Sequence, residues 1–442
     1  MTWATRFRIR EYLRESLWVV PSLGAVLGLL GAMVVVTIDS HVKVPPQWAY
    51  SPSTASTVLS AVAGAVAALT GFVVTVTVLV VQMATGTFSA RYMRLWYRDP
   101  VLKGVLALLI GTLAFSFSLL RHIEARSVPD LGVTVAEVLL IVGLVMFVLF
   151  LNRFVHRLRP VAVVALMAKG LRQSLGDDIA GVRDVMDVFA GPLEKMDEPP
   201  ALQVRCARPG AIQAVRIKGV AAWARQHDCL VVMRHSVGEF LETGDLLFEV
   251  YGDPGETAAA ERVLRGLVAM GLERTIEQDA AFALRVMVDV ANKALSPAVN
   301  DPTTAVQVLD YLGDSLRVIG EADLSVSRWH AGAVKRGVVV PFRRWDDFLA
   351  LGITEIREFG STSIQVMRRM YAVLGKLLQE VRPENRAAVE AEIARLDATV
   401  AAGFSGSIDR DWAGMADRQG LGGPDRLGLV NPAAGRPAAP VG

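Results

Sequence analysis

Val58-Leu59-Ser60-Ala61-Val62-Ala63-Gly64-Ala65-Val66-Ala67-Ala68-Leu69-Thr70-Gly71-Phe72-Val73-Val74-Thr75-Val76-Thr77-Val78-Leu79-Val80-Val81-Gln82-Met83 runs without a charged side chain. A helix needs about 20 apolar residues to cross the roughly 30 Å hydrocarbon layer of a bilayer, and this run is long enough. Three others accompany it in the first third of the chain: Leu17 to Ile38, Gly104 to Leu120 and Leu131 to Leu151. The chain therefore reads as an integral membrane protein with four transmembrane helices. Leu17 to Ile38 is too long for the apolar core of a secretory signal, and the Asp39-Ser40-His41 that follows does not look like a cleavage site, so it reads as a retained helix.

Within the quoted run, Ser60, Gly64, Ala67, Gly71, Thr75, Val78 and Gln82 recur at steps of three and four and so share one helix face. Two readings stay open. Small residues let helices pack closely in lipid, and hydroxyls bond across them. Alternatively the same uncharged stripe walls a water-filled path in a homo-oligomer. Glu137 is the clear intramembrane carboxylate. Its expected partners are Arg121, His122 or Arg126 at the near end of the preceding helix.

Orientation follows from basic residues beside the helix ends. Arg6, Arg8, Arg10 and Arg14 precede the first helix, and Lys43 is alone in the first loop. Arg91, Arg94, Arg98 and Lys103 stand around the second loop. Arg121 and Arg126 lie in the third, and Arg153, Arg157, Arg159 and Lys169 follow the fourth helix. This alternation predicts both termini in the cytoplasm of a bacterial inner membrane. Arg91, Tyr92, Arg94, Trp96 and Arg98 mix basic and aromatic side chains, which suits the headgroup layer and predicts contact with anionic lipid. The net charge of +2 gives no global basic imbalance that would point to nucleic acid.

The rest of the chain reads as a cytoplasmic α+β domain. A helical connector is predicted over 153–198, with a kink at Pro160. A β-rich module over 199–252 has short strands at 202–205, 211–217, 229–234 and 246–250 and a helix at 219–225. Val232 to Leu247 resembles half of a biotinyl/lipoyl-type barrel, which implies a small barrel-like module. The lysine that such carriers modify is missing, so no swinging arm is implied. His235 in this stretch reads as structural. A mainly helical region follows over 253–400, with a strand at 334–342, one long helix at 345–377 bent at Gly360-Ser361, and a last charged helix to about 396. The Gly, Pro and Ala-rich residues 401–442 read as a disordered tail.

Asp279 is placed to cap a helix over 280–294. In Leu295-Ser296-Pro297-Ala298-Val299-Asn300-Asp301-Pro302-Thr303-Thr304-Ala305, Pro297 stops that helix, Asp301 caps the next, and Pro302 takes its first position, where a missing N–H costs nothing. The corner reads as a well-specified turn. The alternative is a polar or anion site built from Ser296, Asn300, Asp301 and Thr303 at the helix N-terminus. Cys206 and Cys229 read as buried thiols. No metal-ligand spacing, nucleophile elbow or phosphate loop stands out, so neither a metal, a cofactor nor enzymatic activity is predicted.

Together, Arg14-Glu15-Ser16-Leu17-Trp18 with Pro21, Phe88-Ser89-Ala90-Arg91 and the Ala294–Ala305 stretch resemble the bacterial predicted-membrane-protein family numbered 2254 among domains of unknown function. The resemblance runs to about residue 380. It implies four membrane helices and a cytoplasmic domain, and it implies no established activity. The function expected from the residues is channel-like permeation of an ion or small solute, with the cytoplasmic domain assembling or gating a homo-oligomer. The alternative is a membrane-anchored sensor or scaffold for an unknown small ligand.

Overall fold

The computed structural model describes residues 2–39, 41, 49–87, 98–124, 128–157, 159–183, 188–190, 198–322 and 336–423. The chain divides into two units, residues 10–162 and residues 1–9 together with 163–442. A first helix, α1 (Trp3–Glu15), is shared between them.

The membrane unit holds α2 (Val19–Asp39), α3 (Pro52–Thr87), α4 (Pro100–Leu120) and α5 (Asp130–Arg157). Each contains a stretch long and apolar enough to cross a bilayer. Helix α4 is the centre of the group and packs against α2, α3 and α5; half of its apolar window is buried, against 11% for α2. Its start is sharply defined. Asp99 accepts a hydrogen bond from the Val101 amide (2.9 Å), and Pro100 occupies the first turn.

The closest packing in this unit joins α2 to α4. A Cβ built on Gly24 would lie 2.2 Å from the Ala107 carbonyl oxygen, and one on Gly28 would lie 2.1 Å from that of Gly111. The two backbones touch because four-residue spacing lines up Gly24 with Gly28 and Ala107 with Gly111. In lipid, where apolar side chains gain nothing by leaving the solvent, such close approach is a main source of helix association.

The second unit is α+β. Its first sheet runs in the order β1 (Val188–Ala190), β8 (Gly337–Val340), β4 (Leu230–Met233), β6 (Leu246–Tyr251), β2 (Leu202–Arg205). Strand β8 is parallel to both neighbours, whereas β4–β6 and β6–β2 are antiparallel. A second, antiparallel sheet has the order β5 (Phe240–Leu241), β3 (Gly210–Val215), β7 (Val268–Gly271). The predicted barrel-like module is thus not a closed barrel but two open sheets. Both are completed by strands from outside 199–252, β1 and β8 in the first and β7 in the second. Helices α7 (Ile217–Gln226) and α8 (Thr257–Arg265) pack against this module, and Ile212, Trp223, Phe248, Leu264 and Val338 share its core.

Strand β3 is buried along its whole length. Its Ala214 and the neighbouring Ala269 of β7 receive Trp3, Ala4 and Phe7 of α1, and the Ala4 amide donates to Gly266 O at 3.0 Å. Two alanines on the sheet leave room for a helix to lie close.

The helical layer comprises α6 (Pro160–Arg183), α9 (Ala280–Leu295), α10 (Pro302–Glu321), α11 (Trp345–Phe359), α12 (Ile364–Glu380), α13 (Arg386–Gly403) and α14 (Ser407–Ala413). Three expectations need correction. The connector is not helical to 198, because β1 pairs with β8. The long helix over 345–377 is two helices. Gly360 ends α11 and the Ser363 hydroxyl accepts from the Val366 amide to start α12, which is the usual competition of serine side chains with the helix backbone. The tail is structured as far as 423, and its remainder lies outside the described residues. Arg368 draws it in, donating to the carbonyls of Met415 (3.1 Å), Gly422 (2.9 Å) and Gly423 (2.8 Å) while its guanidinium sits 5.2 Å from the Trp412 ring. A buried guanidinium with several acceptors compensates for the low apolar content that suggested disorder.

Candidate functional site

Helix α3 turns two faces outward and inward. Ala55, Leu59, Val62, Val66, Val73, Thr77 and Val80 are buried against the other helices of the unit. Ser60, Gly64, Ala67, Gly71, Thr75, Val78 and Gln82 are exposed. A Cβ added at Gly64 or Gly71 would meet nothing within 4 Å. At these two glycines the stripe packs against no other described residue of the chain. The Thr75 hydroxyl donates to Gly71 O (2.9 Å), so its donor is satisfied by its own helix while its oxygen remains available. Elsewhere the exposed surface of the spans is bulky: Leu23, Leu27, Leu30 and Met33 on α2, Ile141, Leu144, Val145 and Val148 on α5. That is ordinary lipid-facing chemistry; α3 shares it at Phe72, Val74, Val78 and Leu79 and adds to it the small and hydroxyl-bearing residues of the stripe.

One end of the unit carries a charged network. The Arg98 guanidinium pairs with Glu11 and with Glu15 (3.0 Å), and Glu11 is 6% exposed. Lys103 is buried, and its ammonium donates to Arg14 O (2.5 Å). A cation at the last carbonyls of a helix offsets the negative end of its dipole. Arg98 is thus held by carboxylates in this chain. Arg91, Tyr92, Arg94 and Trp96, the rest of the predicted headgroup segment, lie outside the described residues.

Among the described residues, the hydrogen-bond partner of Glu137 is Tyr50 rather than Arg121 or His122. The Tyr50 hydroxyl donates to Glu137 at 3.3 Å, and the Tyr50 amide donates to Asp130 at 2.8 Å. His122 is turned to Ser118 O (2.8 Å), and Arg126 lies outside the described residues. A phenol satisfies a carboxylate without bringing a second charge into the apolar layer, and charge pairing alone did not reveal it.

In the α+β unit, the predicted polar corner is internally bonded. Asp301 accepts from the Thr304 amide (3.0 Å) and hydroxyl (2.5 Å), its own amide donates to Ala294 O, and the Ser296 hydroxyl donates to Lys293 O (2.7 Å). Asn300 adopts a left-handed conformation, φ 48°, which Asn tolerates better than most residues. The carboxylate of Asp301 already occupies the place an anion would take at the α10 N-terminus. Thr303 is exposed beside it.

Several ionisable groups are tuned by their surroundings. Burial pushes the Asp279 carboxyl up; it caps α9 by accepting from the Phe282 amide (2.9 Å). Burial, reinforced by the hydrogen bond to Glu249 (2.8 Å), pushes the Tyr251 hydroxyl up to about 12. Arg285 forks onto Glu355 and holds its carboxyl below the usual carboxylate range. Asn292 donates to the same carboxylate at 2.7 Å. His235 is bonded to Glu239 at 2.8 Å. Cys206 and Cys229 are buried free thiols, and burial raises the Cys229 thiol. Among the described residues no group of three His, Cys, Asp or Glu side chains is placed to hold a metal ion.

The family described as "Predicted membrane protein (DUF2254)" matches residues 14–376. The chain belongs to this family. An uncharacterized protein of Mycobacterium tuberculosis strain H37Rv is 30% identical to it over 426 residues, covering 92% of this chain and 80% of the relative. An uncharacterized protein of Mycobacterium bovis matches to the same extent. No solved structure matches. The family region takes in all four spans, both sheets and the helical layer into α12. It also contains Arg368 and Arg369, which hold the tail, while the tail itself lies beyond the matched residues. Sequence reasoning missed the α2–α4 glycines, whose four-residue spacing was the available signal. It also missed Tyr50, and it read Lys103 only as a loop cation, with no local sign of its buried bond to Arg14 O.

Proposed function

We propose that this family member is a channel-like, non-enzymatic protein of the bacterial inner membrane, in which copies of the chain assemble with their α3 faces around a path for an ion or small solute. One observation carries the reading: the small, weakly polar stripe Ser60–Gly64–Ala67–Gly71–Thr75–Gln82 is exposed on α3, beside bulky residues such as Phe72 and Leu79 of the kind that α2 and α5 expose. An uncharged lining of hydroxyls and backbone suits permeation without a fixed binding charge. The basic clusters Arg6–Arg14 and Arg153–Lys169 support a cytoplasmic position for the ends of the membrane unit. An even number of spans supports the same side for α1 and the α+β unit, which would then assemble or gate the path.

The test is ion flux through the purified chain in liposomes. Flux should be reduced about tenfold or more by Thr75→Trp, with melting temperature and oligomer size unchanged. Absence of flux across common ions and membrane potentials, from folded protein, would replace this reading with that of a membrane-anchored sensor or scaffold.

A further inference from the structure

Helix α6 follows the fourth span in the chain, and one of its faces forms a groove with α10. The groove is open to solvent, has room for about 320 Å³ and is lined by Ala165, Ala168, Lys169, Arg172, Gln173 and Tyr311. Lys169, Arg172 and Gln173 stand three and four residues apart, so their side chains emerge from a single helical face. Tyr311 faces them from α10. Arg172 is paired with Asp314, a carboxylate that Arg317 also contacts at 3.0 Å. The Lys169 ammonium, the Gln173 amide and the Tyr311 hydroxyl make no hydrogen bond or ion pair among the described residues.

We propose that this groove binds a phosphate ester carrying one negative charge. The charge follows from the lining: Asp314 balances Arg172, while Arg317 is paired also with Glu321 (2.9 Å) and Glu380 (3.8 Å), which leaves the Lys169 ammonium as the uncompensated cation of the lining. The amide of Gln173 and the phenol of Tyr311 are neutral donors for the remaining phosphate oxygens, and charge-assisted bonds of this kind are the strong ones. The volume exceeds what a bare phosphate needs and falls at the small end of ligand pockets. The methyl groups of Ala165 and Ala168 line the space left for the organic substituent. The ligand is either the phosphodiester of an anionic lipid or a soluble phosphate compound, and both present the same chemistry to the groove. The assignment stands apart from the pore reading, because it involves no residue of α3.

The experiment uses the full chain in nanodiscs of phosphatidylcholine alone or with phosphatidylglycerol. Two quantities are read: binding of inorganic phosphate by calorimetry in the phosphatidylcholine discs, and amide hydrogen exchange of α6 and α10 in both. Saturable phosphate binding, weakened about tenfold or more by Lys169→Gln, identifies a soluble ligand. Slower exchange of α6 and α10 with phosphatidylglycerol, abolished by Lys169→Gln, identifies the lipid headgroup. Lys169→Arg should restore most of either effect. Gln173→Glu, which sets a carboxylate in the groove, should abolish both. Lys169 and Gln173 are exposed, so the fold survives these substitutions, as an unchanged melting temperature would verify. No phosphate binding and no lipid-dependent protection overturns the proposal, as does an effect that persists in both Lys169→Gln and Gln173→Glu.

Discussion

Two stretches of small residues in the membrane unit have opposite fates. On α2, Gly24 and Gly28 are pressed onto the α4 backbone, so that even a methyl group would collide with Ala107 and Gly111. On α3, Gly64 and Gly71, two turns apart on one face, have no other described residue within reach of an added Cβ. The same composition has closed one contact within the chain and left the other facing outward. A small-residue pattern therefore reports a capacity for close approach, and the partner is set by what else lies on the two helices. The contrast recurs in the α+β unit. Arg285, Glu355 and Asn292 form a closed polar contact, whereas Lys169, Gln173 and Tyr311 line an open one.

The largest expected effect breaks the closed helix seam. Gly28→Leu should separate α2 from α4 and destabilise the membrane unit by about 3 kcal/mol or more, seen as a large fall in the denaturation midpoint in detergent. A variant that melts like the parent would show that the seam does not hold the unit together.

A smaller effect concerns the closed polar contact. Arg285 keeps the Glu355 carboxyl below its ordinary value of 4.5. A depressed carboxylate stabilises the fold above its unfolded pKa, and the contribution is lost as pH falls through the folded value. Glu355→Gln should therefore lower the melting temperature at pH 7. The difference from the parent should shrink as pH is lowered below about 4.5. A difference that is constant with pH would mean that packing, rather than charge, is what Glu355 provides.

The smallest effect sharpens the open side of the comparison. At Gly64 an added Cβ meets no described atom within 4 Å, so with Gly64→Leu the stability of the isolated protomer should stay within about 0.5 kcal/mol of the parent. Its sedimentation in mild detergent should change if α3 meets a second copy. A protomer destabilised as strongly as by Gly28→Leu would place α3 in a contact internal to the chain.

Much of the architecture was readable residue by residue. The four spans follow from a sum of hydropathy along the chain, and Asp279 and Asp301 announced their helices because a cap is a local bond between a side chain and an amide three residues on. What escaped was non-local. Strand β1 pairs with β8, joining Val188 to Val338 across most of the α+β unit, and β7 is a four-residue strand with no alternation to mark it. Tail residues 404–423 looked disordered by composition, but their partners are the guanidiniums of Arg368 and Arg369 on a helix far back in the chain. Glu137 pointed to a basic partner by charge, and among the described residues it is Tyr50, before α3, that bonds it.

Hydropathy and local hydrogen-bonding chemistry were thus sufficient for the membrane class, the number of spans and the capped starts of α9 and α10, because each depends on neighbours within a few residues. The choice between the two small-residue faces, the opening of the sheets and the meeting of Lys169 with Tyr311 depend on which surfaces come together in space. Those pairings are settled by packing among residues widely separated in the chain, and no periodicity in a single segment carries that information.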